Sequence, residues 1–303
     1  MGDFHPLSPP KSPKKQHYVP QVYLRGFSGD SKRIWSYAVN SIENGRCVPI
    51  ESVCRENYLY EIKDNDGNWL TPNWIERILS ILEGMFAENI RRLEKKAFLK
   101  ENYRTKSFFT AEEKTFWKLF VAVQMMRSPV VLREANTVVK ELADGQLTDN
   151  QIRALAVSQC LPLFSELKPE DKNVFNVFLK PLLSMSTAIG VDENGTIFTS
   201  DDPVYCYSSQ RENVLQIEEY EKIVFPLTSN LVLLMFGGEM AKEYDRNRLF
   251  PLDYEAQEDI KLSIAYSAEN RVFSKTKLLS SDIELIKKAR KDKEADDIKN
   301  RGL

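Results

Sequence analysis

Histidine is nearly absent from this chain: of its 303 residues only His5 and His17 carry an imidazole. A multi-histidine metal centre is therefore excluded, and any mechanism built on one histidine must use one of those two. Cysteine is scarce as well. Cys47, Cys54, Cys160 and Cys206 stand apart with no C-x-x-C pair, which suits buried reduced thiols better than a disulfide frame or a zinc site. No window approaches the roughly 18 uncharged apolar residues of a membrane span, and the opening Met1-Gly-Asp-Phe-His-Pro6 lacks the apolar core of a secretory signal. The expectation is a cytoplasmic protein with no membrane partner. Also missing are a P-loop, a G-x-G-x-x-G turn, a G-x-S-x-G elbow and an H-E-x-x-H pair. P-loop nucleotide hydrolysis, dinucleotide redox, α/β-type serine hydrolysis and zinc proteolysis thus have no support. No cofactor and no metal are expected.

What is present suffices for one large or two small cores, since 42% of the residues are hydrophobic and 11% aromatic. Charge is balanced overall at −2, yet residues 11–46 hold seven basic side chains (Lys11, Lys14, Lys15, Arg25, Lys32, Arg33 and Arg46) against Asp30 and Glu43. Such a stretch attracts phosphates, or simply stays solvated.

The order of periodicities predicts an α+β fold with three sections. Residues 1–16, rich in proline and lysine, read as a flexible basic arm. Residues 17–280 read as a single α+β domain, with a small antiparallel N-terminal sheet (strands within 33–62), a central helical block (72–184), and C-terminal antiparallel strands (186–236). Residues 281–303 form a terminal helix and tail, capped from Ser281. Within the sheets, Ile34–Val39 and Cys47–Glu51 are predicted to pair around Asn44-Gly45, and Asn57–Ile62 to form a further strand. Ser186–Val191 and Thr196–Ser200 are predicted to pair around Asp192-Glu-Asn-Gly195, and Lys222–Leu227 with Leu231–Phe236 around Thr228-Ser-Asn230. Thr71 is the expected N-cap, with Pro72 in the first turn, of a helix that buries Trp74, Ile75, Ile78, Leu79, Leu82, Met85, Phe86 and Ile90. Thr110-Ala-Glu-Glu113 is a capping box, Ser128-Pro129 ends one helix and opens the next, and two more helices fall near 149–161 and 170–184. Parallel βαβ units would alternate throughout, which this order does not.

The run Gln16-His17-Tyr18-Val19-Pro20-Gln21-Val22-Tyr23-Leu24-Arg25-Gly26-Phe27 resembles the H-x-V-P-Q-x-Y-L-x-x-F opening of a widespread bacterial family, known as a domain of unknown function, number four-two-three-eight. Glu56–Tyr60, Arg127-Ser-Pro129 with Arg133, and Phe198–Val204 followed by Phe225–Thr228 are similar to that family too. The resemblance spans about residues 16–275. It implies membership and no chemistry, so mechanism must come from the residues themselves.

His17, Gln21 and Arg25 are spaced to share one face if the segment is helical, although Pro20 places the helix start near Val19 or Pro20 with His17 just ahead of it. The three together offer proton traffic, paired amide contacts and a bidentate phosphate clamp. Their structural alternative is a motif whose tyrosines and aliphatics build core while His17 bonds a carbonyl. At Thr199-Ser-Asp-Asp-Pro203 a strand end delivers hydroxyls and carboxylates to a turn fixed by Pro203, a setting for a general base or nucleophile. Consecutive side chains on extended backbone point oppositely, so Asp201 is preferred over Asp202. The alternative is a turn whose oxygens satisfy backbone N–H groups. Arg127 and Arg133 flank a helix break and either clamp phosphate or tie helices to Glu76 or Glu83.

These residues support three classes of function. The first is a hydrolase acting on DNA at an N-glycosidic bond, a route tied to bacterial antiviral defence only by association with genes that carry unassigned domains. Asp201, His17 and Asp202 would be its catalytic groups, and Gln21, Arg25, Tyr18, Tyr23, Arg127, Thr199 and Ser200 its substrate contacts. The second is a metal-dependent nuclease using Asp201, Asp202 and Glu76 or Glu83. The third is a binding or scaffold protein in which every motif is structural.

Overall fold

The computed structural model describes residues 15–30, 32–70, 73–99, 103, 108–161, 174–208, 220–244 and 248–300. After β1 (Lys15–His17) come one helical turn, α1 (Gln21–Leu24), and a 3-10 turn at Arg25–Phe27, then β2 (Arg33–Ala38), β3 (Arg46–Pro49) and β4 (Arg55–Asn57). Helices follow as α2 (Trp74–Ala97), α3 (Ala111–Met126), α4 (Pro129–Ala143), α5 (Asp149–Cys160) and α6 (Val174–Ser184). The rest of the chain runs β5 (Ser186–Val191), β6 (Thr199–Ser200), β7 (Tyr205–Tyr207), β8 (Lys222–Pro226), β9 (Leu231–Phe236), α7 (Gly238–Tyr244), β10 (Leu249–Pro251), α8 (Tyr254–Ser267), β11 (Arg271–Ser274) and α9 (Ser280–Asn300). The fold is α+β. Most of the predicted basic arm, the expected cap at Thr71-Pro72, and the start of the helix expected from residue 170 lie outside the described residues.

A five-stranded sheet, ordered β10-β5-β9-β8-β7, forms the middle layer. All its pairs are antiparallel except β10 with β5. Every residue of β9 is buried because the strand faces apolar partners on both sides. Leu231, Leu233 and Met235 join Ile223 and Phe225 in the core that the helices α2–α6 cover. Val232, Leu234 and Phe236 point the other way, toward Phe198, Val272, Ile260, Ile264, Ile286 and Ala289. Two-sided burial is why this strand reads as a continuous apolar run instead of an alternating one. The four-stranded antiparallel sheet β3-β2-β11-β6 and the pair α8 and α9 close that second core, helped by a buried ion pair from Lys261 Nζ to Asp282 Oδ1 at 2.8 Å.

The β2–β3 and β8–β9 pairs form as predicted. The hairpin predicted from Ser186 to Ser200 does not. The turn itself is there, with Asp192 accepting from the Asn194 and Thr196 amides and Gly195 at φ 65°. Beyond it the chain leaves the sheet: β9 pairs with β5, while Thr199 and Ser200 pair with β11 in the other sheet. The more continuously apolar strand wins the buried ladder. The strand expected over Asn57–Ile62 is also displaced. Pairing stops at Asn57, since Tyr58 has φ 53°, and Arg153 of α5 donates to the carbonyls of Tyr58, Leu59 and Glu61. Helix α2 begins after Asn73 and buries Ile75, Leu79, Phe86, Leu93 and Ala97. That seam follows a near-heptad spacing, which turns the predicted Trp74 and Met85 out to solvent.

The α3 capping box forms as read, with the Glu113 amide donating to Thr110 Oγ1 and the Thr110 amide to Glu113 Oε2. Pro129 opens α4 at its first turn. These two devices fix where α3 starts and stops, and so where Gln124 and Arg127 stand.

Candidate active site

The opening motif folds as a strand, a turn of helix and a 3-10 turn, so His17, Gln21 and Arg25 do not share one helical face. Pro20 cannot continue a ladder and supplies the N-cap of α1. Val19, Leu24 and Phe27 are sealed in the core, while Gln21 is half-buried and Arg25 exposed.

Tyr23 is a core residue. Its ring stacks on Phe225 with centroids 5.3 Å apart, and its hydroxyl lies 2.6 Å from Thr199 Oγ1. Gly26 completes the same contact, because a side chain there would meet the Leu227 carbonyl oxygen and Thr228 Cγ2 at 3.0 Å. The amide of Ser229 donates to the Gly26 carbonyl at 3.0 Å. Three of the stretches that the family resemblance singled out, the opening run, Phe198–Val204 and Phe225–Thr228, therefore meet, and what they make at this point is a fully packed joint. Tyr23 and Thr199 have no face to offer a substrate, which corrects their assignment as substrate contacts. Ser200 is likewise enclosed, donating to the Asp202 carbonyl at 2.7 Å.

Asp201 is 5% exposed and its carboxylate is occupied. Oδ1 accepts from the amides of Glu269 and Asn270 at 3.0 and 3.2 Å, and Oδ2 from the Asn270 amide at 3.0 Å. Burial pushes its pKa up, opposed by these N–H donors. Asp201 thus organises the turn between α8 and β11, the role weighed against catalysis from the sequence. Tyr18 and Cys54 lie within electrostatic reach of it, and burial pushes both the phenol and the thiol above their ordinary ranges. Neither is an ionised nucleophile at neutral pH. Asp202 contributes its main-chain carbonyl to this corner, accepting also from Ser267 Oγ at 2.7 Å.

His17 and Tyr18 divide between two environments. Tyr18 bonds Cys54 and lies within electrostatic reach of Asp201 and Glu56; His17 bonds the Glu51 backbone and lies within reach of Glu83, Arg55 and Arg127. Arg127, 2% exposed at the end of α3, is the hub of the second group. Its Nη1 donates to Glu83 Oε1 at 3.0 Å, its Nη2 to the His17 carbonyl at 2.6 Å and its Nε to the Tyr60 hydroxyl at 3.3 Å. The helix-tying role is the one Arg127 performs, with Glu83 as partner. Arg133 is exposed and approaches Glu56 only at 3.9 Å.

Beside this hub stands Glu76, one turn inside α2. Burial, partly offset by the Arg127 charge and reinforced by Glu83 and Glu61, pushes its pKa up to about 7. Its Oε1 is buried without a hydrogen-bond partner among the described residues. His17 is comparable: burial lowers its pKa, its ring bonds the Glu51 backbone, and Nε2 is buried without a partner. Gln124, 3% exposed, donates through Nε2 to the Tyr18 carbonyl at 2.9 Å and leaves Oε1 unpartnered. A carboxyl whose pKa burial pushes up to about 7 is equipped for general acid–base chemistry.

From the sequence, Glu76 stands as a partner for Arg127 or as a metal ligand of the nuclease alternative, while Gln124 and Tyr60 carry no assigned role. The available signal for Gln124 was a lone amide in the apolar run Phe120-Val-Ala-Val-Gln-Met-Met126. Among the described residues no three His, Cys, Asp or Glu side chains gather as a metal ion requires, so Asp201, Asp202 and a helix glutamate do not form the cluster that a two-metal nuclease needs. No described helix is long and apolar enough to cross a membrane.

One family model, described as a protein of unknown function (DUF4238), matches residues 15–278. Comparison with curated proteins and with solved structures gives no match.

Proposed function

The chain belongs to the DUF4238 family, a membership that carries no chemistry, and from its own residues we propose that it is a hydrolase cleaving an N-glycosidic bond in plain or modified DNA. The observation that carries this reading is the Glu76 carboxyl, held near neutrality with one oxygen unpartnered beside the ion pair of Arg127 and Glu83. As the C1′–N bond breaks, its electron pair goes to the base, which takes the proton of Glu76. The sugar cation that remains is stabilised by the Glu83 carboxylate and then captured by water, whose surplus proton returns to Glu76. The products are the free base and an abasic sugar. Exposed Lys15 and Arg25 supply positive charge for phosphates at the same end of the chain. In this reading the acid is Glu76, and Asp201 positions the turn beside Tyr18. Such an activity on modified DNA suits defence against foreign DNA.

The test incubates the purified chain with plain and modified duplex DNA, with and without chelator, and assays abasic sites and strand breaks. Chelator-resistant abasic sites support the reading. Breaks that need a divalent metal point to the nuclease, and no product from any duplex removes the proposal. A scaffold role is the second reading, favoured by the joint in which Tyr23, Thr199 and Asp201 all serve packing and backbone contacts.

A further inference from the structure

Helix α2 carries two apolar faces. One, through Ile75, Leu79, Phe86, Leu93 and Ala97, is buried in the core. The other runs through Trp74, Ile78, Ile81 and Met85, and the 3.6-residue turn sets it about 110° around the helix from the first. Trp74, Ile81 and Met85 are 46%, 65% and 44% exposed. Single apolar side chains in solvent are ordinary, but three on one stripe of one helix make a contiguous patch of the kind that marks an interface. Gly84 borders this stripe in the helix interior, where glycine weakens a helix, and a Cβ there would meet nothing within 4 Å. The chain's own packing gives no reason for that glycine. A second helix approaching closely from outside supplies one.

The charges that rim the stripe say which helix. Exposed Arg77 stands toward one end, and among the described residues it forms no ion pair. Toward the other end Glu88 and Arg92 pair with each other, both more than half exposed. A two-fold axis near position 83 makes this pattern complementary to itself. Ile81 of one copy then meets Met85 of the other, Arg77 meets Glu88, and Trp74 meets the Arg92 guanidinium, a cation suited to an aromatic face. Parallel helices would instead set Arg77 on Arg77 and Glu88 on Glu88, which repel. We propose that this face of α2 is a homodimer interface, in which two copies of the chain pack α2 against α2 in antiparallel and cross beside Gly84. One helix face per copy is a small interface, so a micromolar dissociation constant is expected.

The experiment follows the full chain by sedimentation velocity and light scattering across the micromolar range. The mass should rise with concentration from 35.0 kDa toward twice that value. Ile81→Glu should weaken the dimer by about tenfold or more, because it drives a charge into the centre of the contact. Leu142→Glu, at an 82% exposed position on α4, should leave it unchanged. Arg77→Glu and Glu88→Arg should each weaken it by about tenfold, and the double variant, with the charges exchanged, should recover most of the loss. All four positions are exposed, so the variants keep the fold, which thermal unfolding checks. A wild-type chain that stays monomeric at the highest concentration overturns the proposal. So does a dimer that Ile81→Glu leaves intact, or a double variant as weak as the single ones.

Discussion

The Tyr23 hydroxyl and Thr199 Oγ1, 176 positions apart in the chain, lie 2.6 Å from each other in the core. This contact joins the opening motif to the strand that ends at Asp201, and neither partner has another solvent-accessible use. Removing the hydroxyl as Tyr23→Phe should cost about 1–2 kcal/mol, the range for a buried hydrogen bond whose partner is left unpaired. Thr199→Val should cost about the same, and the double variant less than the sum of the two. Denaturant unfolding of the four proteins in this cycle measures it, and strict additivity would show that the two groups do not interact.

Asp201 should behave as a structural acid. Alanine strips acceptors from the buried amides of Glu269 and Asn270, so Asp201→Ala is expected to lose about 2–4 kcal/mol. Asp201→Asn keeps one oxygen in place, and burial already disfavours the charged form. It should recover at least half of that loss. Chemical denaturation at pH 7 distinguishes the two substitutions.

Arg127 is buried with three kinds of partner, and its removal strands Glu83 and the His17 carbonyl together. Arg127→Met should destabilise by about 3–5 kcal/mol. Lysine keeps the charge but cannot reach Glu83, Tyr60 and the carbonyl at once, so Arg127→Lys should fall between wild type and Met in thermal unfolding.

Glu76 should weaken the fold it belongs to. Its pKa rises from 4.5 to about 7 on folding. Between those values the folded chain holds a proton that the unfolded chain has released, so stability falls as pH climbs through that window, and the whole penalty is present above pH 7. Since the group keeps some contact with solvent, the penalty is about 1–3 kcal/mol. Glu76→Gln should therefore be more stable than wild type at pH 8 by that amount, with the gain vanishing at pH 4. Equal pH profiles for the two proteins would place Glu76 in contact with water at its ordinary pKa.

Much of this architecture was legible along the chain. The α3 capping box, the Pro129 helix start and the paired strands β2–β3 and β8–β9 are local signals, decided by residues within a few positions of one another. What failed was non-local. No pattern in Thr196–Ser200 tells which sheet takes it, since that depends on β9 and β11 competing for ladder positions. Likewise the site followed from types and spacing only in part. His17 and Arg127 are separate candidates in the sequence, with no signal that the Arg127 guanidinium would hold the His17 carbonyl, and that Glu83 pairs with Arg127 while Glu76 does not depends on two turns of α2 and their burial. The twelve-residue opening motif looked like chemistry because it mixes polar with apolar side chains. Most of that mixture satisfies the packed joint between β1, α1 and the strand ends, with Gln16 bridging the Glu61 carboxylate and the Tyr60 amide.

The most direct test compares the rate of abasic-site formation on one duplex by the wild-type chain, Glu76→Gln and Asp201→Asn, each checked for native folding. If Glu76 is the acid, its glutamine variant should be slower by about 100-fold or more. Asp201→Asn should then stay within a few-fold of wild type, and wild-type activity should fall about tenfold per pH unit above 7. Full activity in Glu76→Gln, with loss in Asp201→Asn, would return the chemistry to the acidic corner and contradict the account.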